Sequence, residues 1–221
     1  MQDKILMCNI LSRTITSFKT LAIKGCTEIK FAHGGHLFAC AANQKDIHVF
    51  NFYTAECPIS MQFTGHVSRV RCIDWFENDL GFTTCGNDGN VYFYDLFKPG
   101  QLKDPGKRNT DKDFNKKDVK FTSVCNVPGK DYEIFAVGND KLISSNSSNK
   151  KGSSTQGESS VTISQILITP SGKNIIAGVG EPERPGAIQV WSRPEEKPID
   201  KINEIQAHSK PVDRLRLSAD C

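Results

Sequence analysis

The stretch GHVSRVRCIDWFENDLGFTTCGNDGNVYFYDL, residues 65–96, decides the fold. Within it RVRCIDW, LGFTTC and NVYFYDL are short and rich in aromatic and β-branched residues, and FEND and GNDG between them are turn-forming. Three antiparallel strands follow. Asn87-Asp88-Gly89 supplies the tight hairpin between the second and third, because Gly has no Cβ and Asn and Asp tolerate positive φ.

Sliding this pattern along the chain finds it again. CTEIKF, GHLFACA and DIHVFNF form a first copy, with Lys24-Gly25 expected where the second has Gly65-His66. FTSVCNV, YEIFAVGND and KLISS form a third, which keeps Asn139-Asp140 at the turn. VTISQILITPSGKNIIAGVG with AIQVW forms a fourth, and QAHSKPVDRLRLSAD opens a fifth with Ala207-His208 at the Gly-His place. The period is about 41 residues, stretching to about 50 where loops are inserted, as four-stranded propeller blades require.

The totals agree with a folded, unexceptional interior. The 221 residues suffice for a sizeable core, and 38% apolar with 24% charged residues is an ordinary globular balance. A net charge of +3 demands no polyanionic partner. The eight cysteines include no CxxC pair and mostly sit in strand-like runs, so they read as buried reduced thiols; the N-terminus MQDKILMCNI is no signal peptide. No apolar run approaches the roughly 18 to 20 residues of a membrane span. The expected setting is intracellular, with no membrane.

Gly65-His66, Asp88-Gly89 and Tyr94-Asp95 stand where a WD-repeat blade has its Gly-His, turn aspartate and Trp-Asp pair. The chain resembles that family over nearly its whole length. IKGCTEIKFAHGGHLFACAANQKDIHVFNF, FAVGNDKLI and NEIQAHSKPVDRLRLSAD are also similar to the second propeller of the cilia- and flagella-associated protein 57 family, axonemal WD-repeat proteins.

The resemblance implies an all-β, WD40-type β-propeller, partial, with about four blades and pieces of split blades at both ends. It places the end of a preceding blade at 1–24 and blades at 25–64, 65–118, 119–157 and 158–206, with a truncated blade opening at 207–221. It implies that His66 bonds Asp88 and the Thr84 hydroxyl, with Tyr94 at the usual Trp place and Asp95 after it. In function it implies a non-catalytic scaffold of the ciliary axoneme that helps place inner-arm dyneins on doublet microtubules. Dynein arm subunits, coiled-coil adaptors and tubulin are then the expected partners.

Other constellations weigh less. His33-Gly34-Gly35-His36 with Cys26 and Cys40 lacks the paired spacing of zinc ligands, and reads as a turn. GVGEPERPG, residues 178–186, begins G-x-G, but Glu181 and Glu183 would repel a phosphate; it reads as a loop between the second and third strands of the fourth copy. SSNSSNKKGSSTQGESS, residues 144–160, reads as a low-complexity loop or a frayed fourth strand.

The segment 98–120 is a polar insertion with eight basic and four acidic residues. Lys98, Lys103, Lys107, Arg108, Lys112, Lys116 and Lys117 make it a candidate interaction loop for an acidic partner, a tubulin tail or RNA. Phe114 is its one aromatic, which argues against base stacking and hence against nucleic acid. The alternative function is a cytoplasmic WD-repeat receptor that grips a peptide or RNA with the propeller face and this loop. Neither a nucleophile with its base, nor paired carboxylates, nor a phosphate loop assembles, so no catalysis, cofactor or metal is expected.

At the ends, KILMCNILS and ITSFKTL read as the third and outer strands of a preceding blade, and PVDRLRLS as an inner strand. Pooling them leaves one strand missing. The sequence therefore suggests a ring finished by another polypeptide or a piece of a larger propeller.

Overall fold

The computed structural model describes residues 4–10, 14–54, 59–97, 118–130, 133–146, 154–194 and 198–218. Their regular structure is entirely β. A two-stranded sheet, β1 (Lys4–Asn9) and β2 (Thr16–Ala22), precedes four larger ones. The first is β3 (Ile29–Phe31), β4 (Leu37–Ala42), β5 (Asp46–Asn51) and β6 (Ile59–Phe63), and the second is β7 (Val70–Trp75), β8 (Gly81–Gly86) and β9 (Val91–Asp95). The third is β10 (Phe121–Asn126), β11 (Ile134–Gly138), β12 (Leu142–Asn146) and β13 (Ser154–Glu158). The fourth is β14 (Ile163–Ile168), β15 (Asn174–Val179), β16 (Gly186–Ser192) and β17 (Asp200–His208). Each sheet is a meander in chain order with antiparallel pairs throughout.

Alternation along the second strand of each sheet builds the stack. In β4, Phe38, Cys40 and Ala42 face the β1–β2 sheet, while Ala39 and Ala41 face the second sheet. In β11, Ile134 and Ala136 turn toward the second sheet, Phe135 and Val137 toward the fourth. A strand with period two buries both faces only when sheets lie on both sides of it. Four apolar clusters consequently lie between five successive sheets, the radial packing of a partial β-propeller.

Polar bonds repeat at the sheet boundaries. The Thr27 hydroxyl donates to the Val70 carbonyl (3.0 Å) and the Thr122 hydroxyl to Ile163 (2.9 Å), while Ser164 bonds Val212 in the same way. At the opposite end of these strands Trp75 Nε1 donates to the Lys30 carbonyl at 3.0 Å, and Asp79 accepts the His33 and Gly34 N–H groups at 2.8 and 2.7 Å. The end carrying the β4–β5, β8–β9 and β11–β12 turns is called upper here, and the end carrying Asp79 lower.

Residues 211–218 differ from the expected inner strand. They run beside β14 without a backbone ladder, held through Ser164 to Val212 and by the Leu215 N–H donating to Gln165 Oε1 at 2.6 Å. The reason is geometric: β14 belongs to the neighbouring sheet, and stacked sheets meet through side chains rather than backbone. Arg214 then reaches Glu28 at 2.8 Å, tying this segment to the start of the first sheet. The serine-rich stretch ends in β13, the fourth strand of its sheet, and the 180–185 loop joins β15 to β16.

Among the described cysteines, Cys40, Cys72, Cys85 and Cys125 are buried free thiols, Cys26 is half-buried and Cys8 exposed. Burial pushes Cys72, Cys85 and Cys125 upward, which makes them poor nucleophiles. Among the described residues no helix is long and apolar enough to cross a membrane.

Candidate functional site

His66 precedes β7, Thr84 lies in β8 and Asp88 in the turn after it; the second sheet brings all three together. His66 Nδ1 lies 2.9–3.0 Å from both Asp88 oxygens, and Nε2 lies 2.8 Å from Thr84 Oγ1. Asp88 also accepts the N–H groups of Val67 (3.0 Å) and Asn90 (3.2 Å). Burial raises the Asp88 carboxyl, but the His66 bond and charge and these N–H donors outweigh it, so its pKa falls below the usual 3.8. An ionised carboxylate only accepts, so in the neutral ring Nδ1 carries the proton and Nε2 accepts from Thr84. His66 and Asp88 side chains are 0% and 2% exposed. The group ties a loop, a strand and a turn of one sheet, with its side chains closed off from solvent.

Tyr94 sits beside this trio with its ring against Phe82 and Phe63, at 5.1 and 5.2 Å. Burial drives its phenol upward, with the Thr84 hydroxyl acting the other way, yet its oxygen meets no hydrogen-bond geometry. Asp95 acts at the other end of β9, where its Oδ1 accepts the Phe97 N–H at 2.9 Å. Lys98, Lys103, Lys107, Arg108, Lys112, Lys116 and Lys117 lie outside the described residues.

The registers explain why the motif is clear once. The partners of Ile29, Ile73, Val124 and Ile166 are Cys40, Thr84, Ala136 and Ala177, so the Thr84 hydroxyl has no counterpart in the other three sheets. Likewise Phe50, Tyr94, Asn146 and Trp191 are equivalent. At the turn, the N–H groups of Asn43, Asn87, Asn139 and Gly180 donate to the carbonyls of Lys24, Arg69, Lys120 and Thr162. This bond corrects one expectation. Lys24-Gly25 matches Arg69-Val70, four residues past Gly65-His66, and the place of His66 falls at Leu21 or Ala22. In the fourth sheet it falls on Ser159, while His208 does occupy it, since Val212 accepts from Ser164 as Val70 does from Thr27.

Trp191 is the fourth sheet's counterpart of Tyr94, and its Nε1 is buried with no acceptor. Ala177, at the Thr84 place, offers it no hydroxyl. Ala177→Ser supplies an acceptor for little added volume, and is expected to raise stability by about 1 kcal/mol, read as a higher urea midpoint. A lower midpoint would mean that the hydroxyl fails to reach the indole.

His33 and His36 gather no metal set. His33 Nδ1 lies 3.2 Å from Asp79 Oδ1, but that carboxylate is already bonded by two backbone N–H groups, and among the described residues no cluster of three metal-ligating side chains forms. The tie between the lower turns of the first and second sheets, 45 residues apart, was not visible in the sequence.

The WD domain, G-beta repeat family matches residues 57–95, the stretch that holds the His66 trio. Cilia- and flagella-associated protein 57 A of Tetrahymena thermophila is 32% identical over 98% of this chain, and the Mus musculus cilia- and flagella-associated protein 57 is 31% identical over 99%. The chain spans 18% and 16% of the length of these two relatives. Among solved structures, the Myceliophteria thermophila Cps50 (Swd1) β-propeller domain superposes with a TM-score of 0.71 at 13% identity, covering 96% of this chain and 62% of that one. A chain of the mitotic checkpoint complex gives 0.69 at 19% identity, covering 90% and 59%. These two carry the fold alone. By its repeats, its stacked sheets and these relatives, the chain is a partial β-propeller that carries a WD-repeat match at residues 57–95 and is similar over nearly its whole length to part of the cilia- and flagella-associated protein 57 proteins.

Proposed function

We propose that this chain is a non-catalytic protein-interaction scaffold of the ciliary or flagellar axoneme, which helps to dock or regulate inner-arm dyneins on doublet microtubules. The similarity to ciliary and flagellar proteins along 98–99% of the chain carries this reading. The fold suits it: sheets packed in series hold their turns on a rigid frame, and turns so held are where binding surfaces are built. Dynein arm subunits and coiled-coil adaptors are the proposed partners. The basic insertion at 98–120 carries net charge opposite in sign to tubulin's acidic surface. The histidine trio serves the frame.

Expression of the tagged chain in ciliated cells tests the location. It should remain with doublet microtubules after detergent extraction; release with the soluble matrix would overturn the reading. Electron cryotomography of axonemes lacking the protein tests the dynein part: an inner-arm density should be missing, and a complete set of inner arms would overturn it.

A further inference from the structure

Two sulfur atoms meet on one face of the first sheet. Thr27, Thr122 and Ser164 are equivalent, since each donates its hydroxyl to a carbonyl of the chain that packs next in the stack. The residues before them, Cys26, Phe121 and Ile163, are therefore equivalent too. Val70 joins them, because the ladder shifts register after Val70, Phe121 and Ile163 alike. Cys40 stands where the other sheets have Thr84, Ala136 and Ala177. The two places thus hold Val70 with Thr84, Phe121 with Ala136 and Ile163 with Ala177, and among the four larger sheets only the first puts a thiol at both.

The local backbone brings the pair together. The Thr27 N–H donates to the Ala41 carbonyl at 3.1 Å and the Ala41 N–H to the Glu28 carbonyl at 3.0 Å, so two residues of one strand oppose one of the other. Beyond this irregularity Ile29 pairs with Cys40. Cys26 is left on the Cys40 face, and both pack in the apolar cluster of Ile5, Met7, Ile23 and Phe38 against the β1–β2 sheet. Cys40 is 0% exposed, whereas Cys26 is half-buried and open to solvent. The Cys40 S–H donates to Cys26 Sγ, and Cys26 in turn donates to the Glu28 carbonyl at 3.7 Å. The bond from Cys40 lowers the Cys26 thiol, with burial acting the other way; the same bond and burial push the Cys40 thiol up. His48 is the register partner of Cys40, and both its ring nitrogens are buried without a hydrogen-bond partner, which sets an unengaged proton acceptor across the ladder from Cys40.

An accessible sulfur with thiolate character beside an inner protonated thiol is the arrangement in which one cysteine attacks and the other resolves. The other described thiols lack part of it. Cys72 and Cys85 are register partners, but both are buried and burial pushes both up. Cys125 is buried in the same way. Cys8 is exposed, with Ser17 opposite it.

We propose that Cys26 and Cys40 form a redox-active dithiol that hydroperoxides convert to a disulfide, Cys26 attacking and Cys40 resolving. Cys26 Sγ attacks one peroxide oxygen and the O–O bond breaks. The sulfur becomes a sulfenic acid, and the released oxygen takes the Cys26 proton and leaves as an alcohol, or as water where the oxidant is hydrogen peroxide. Cys40 Sγ then attacks the Cys26 sulfur; the S–O bond breaks, the S–S bond forms, and hydroxide leaves as water with the Cys40 proton. The two sulfurs together give up two electrons, and one hydroperoxide accepts them. The new bond ties the segment before β3 to β4, and thiol exchange with a cellular dithiol reverses it. This site is independent of the scaffold reading.

The test uses the full chain, reduced, freed of reductant, treated with equimolar hydrogen peroxide, capped with iodoacetamide under denaturing conditions and digested with trypsin. Cleavage after Lys24, Lys30 and Lys45 places the two cysteines in separate peptides, 25–30 and 31–45. Mass spectrometry should find these two joined by a disulfide that dithiothreitol separates, with Cys72, Cys85 and Cys125 recovered unoxidised. Cys26→Val and Cys40→Ala install residues that equivalent places already hold, Val70 and Ala136, so both variants should keep the circular dichroism of the parent chain. In Cys40→Ala the joined product is lost and dimedone traps Cys26 as the sulfenic acid; in Cys26→Val, Cys40 stays reduced. A Cys26 that oxidises no faster than Cys8 overturns the proposal. So does Cys26 joined to Cys8, Cys57 or Cys221 in place of Cys40, or Cys40 oxidised in Cys26→Val.

Discussion

Asp88→Ala is expected to lower stability by about 3 kcal/mol, because it strips partners from three donors at once. His66 Nδ1, the Val67 N–H and the Asn90 N–H all lose their acceptor, and the His66 side chain has no exposure through which water could replace it. Equilibrium urea unfolding reads the loss as a lower midpoint at unchanged slope. A change under about 0.5 kcal/mol, the range of ordinary surface substitutions, would sink the claim that this carboxylate holds the second sheet together. Acid gives an independent check. The Asp88 carboxyl titrates below 3.8 in the folded chain, so below that pH the unfolded chain binds more protons than the folded one. The stability it contributes is present above 3.8 and drains away as pH falls through the folded value. Asp88→Ala should flatten that part of the acid limb.

Trp75→Ala should cost more, about 3–5 kcal/mol. The indole is 1% exposed at the lower end of β7, its ring centroid 5.1 Å from Phe82, and Nε1 bonds the Lys30 carbonyl of the preceding sheet. Truncation opens a cavity between two sheets and removes a bond across the same boundary. For a chain of this size a loss of that order lowers the melting temperature by roughly 10 °C. Trp75→Phe keeps most of the ring and loses the bond, so it should cost about 1–2 kcal/mol. Equal effects from the two variants would show that the hydrogen bond, and not the packing, carries the indole's contribution.

The strands were legible because period-two alternation and turn residues are local properties, and a repeat multiplies a weak local signal. β13 and the 180–185 loop fall where serine-rich and proline-bearing sequence suggested them. The His66 trio was legible through the family resemblance, since its three members come from one 32-residue stretch. Lys24-Gly25 misled because a Gly after a polar residue marks any turn, and only the carbonyl bonded by Asn43 shows which point of the turn it occupies. The orphaned Trp191 indole depends on what stands across two strands at Ala177, a register property that sequence spacing does not carry. The same holds for Cys26 and Cys40, which read as part of a loose metal set until the ladders make them same-face neighbours.

The bond between Arg214 and Glu28 has a kinetic meaning. Each sheet packs on the one before and the one after, so formation can begin at any sheet and spread along the stack, each step closing a loop of modest length. The Arg214 bond joins residues 186 apart and forms only when the sheets between them are in place. We predict that it forms in the last stage of assembly, after the rate-limiting step. Removing it should leave the refolding rate unchanged and speed opening of the stack from its two ends, where the clock of unfolding starts.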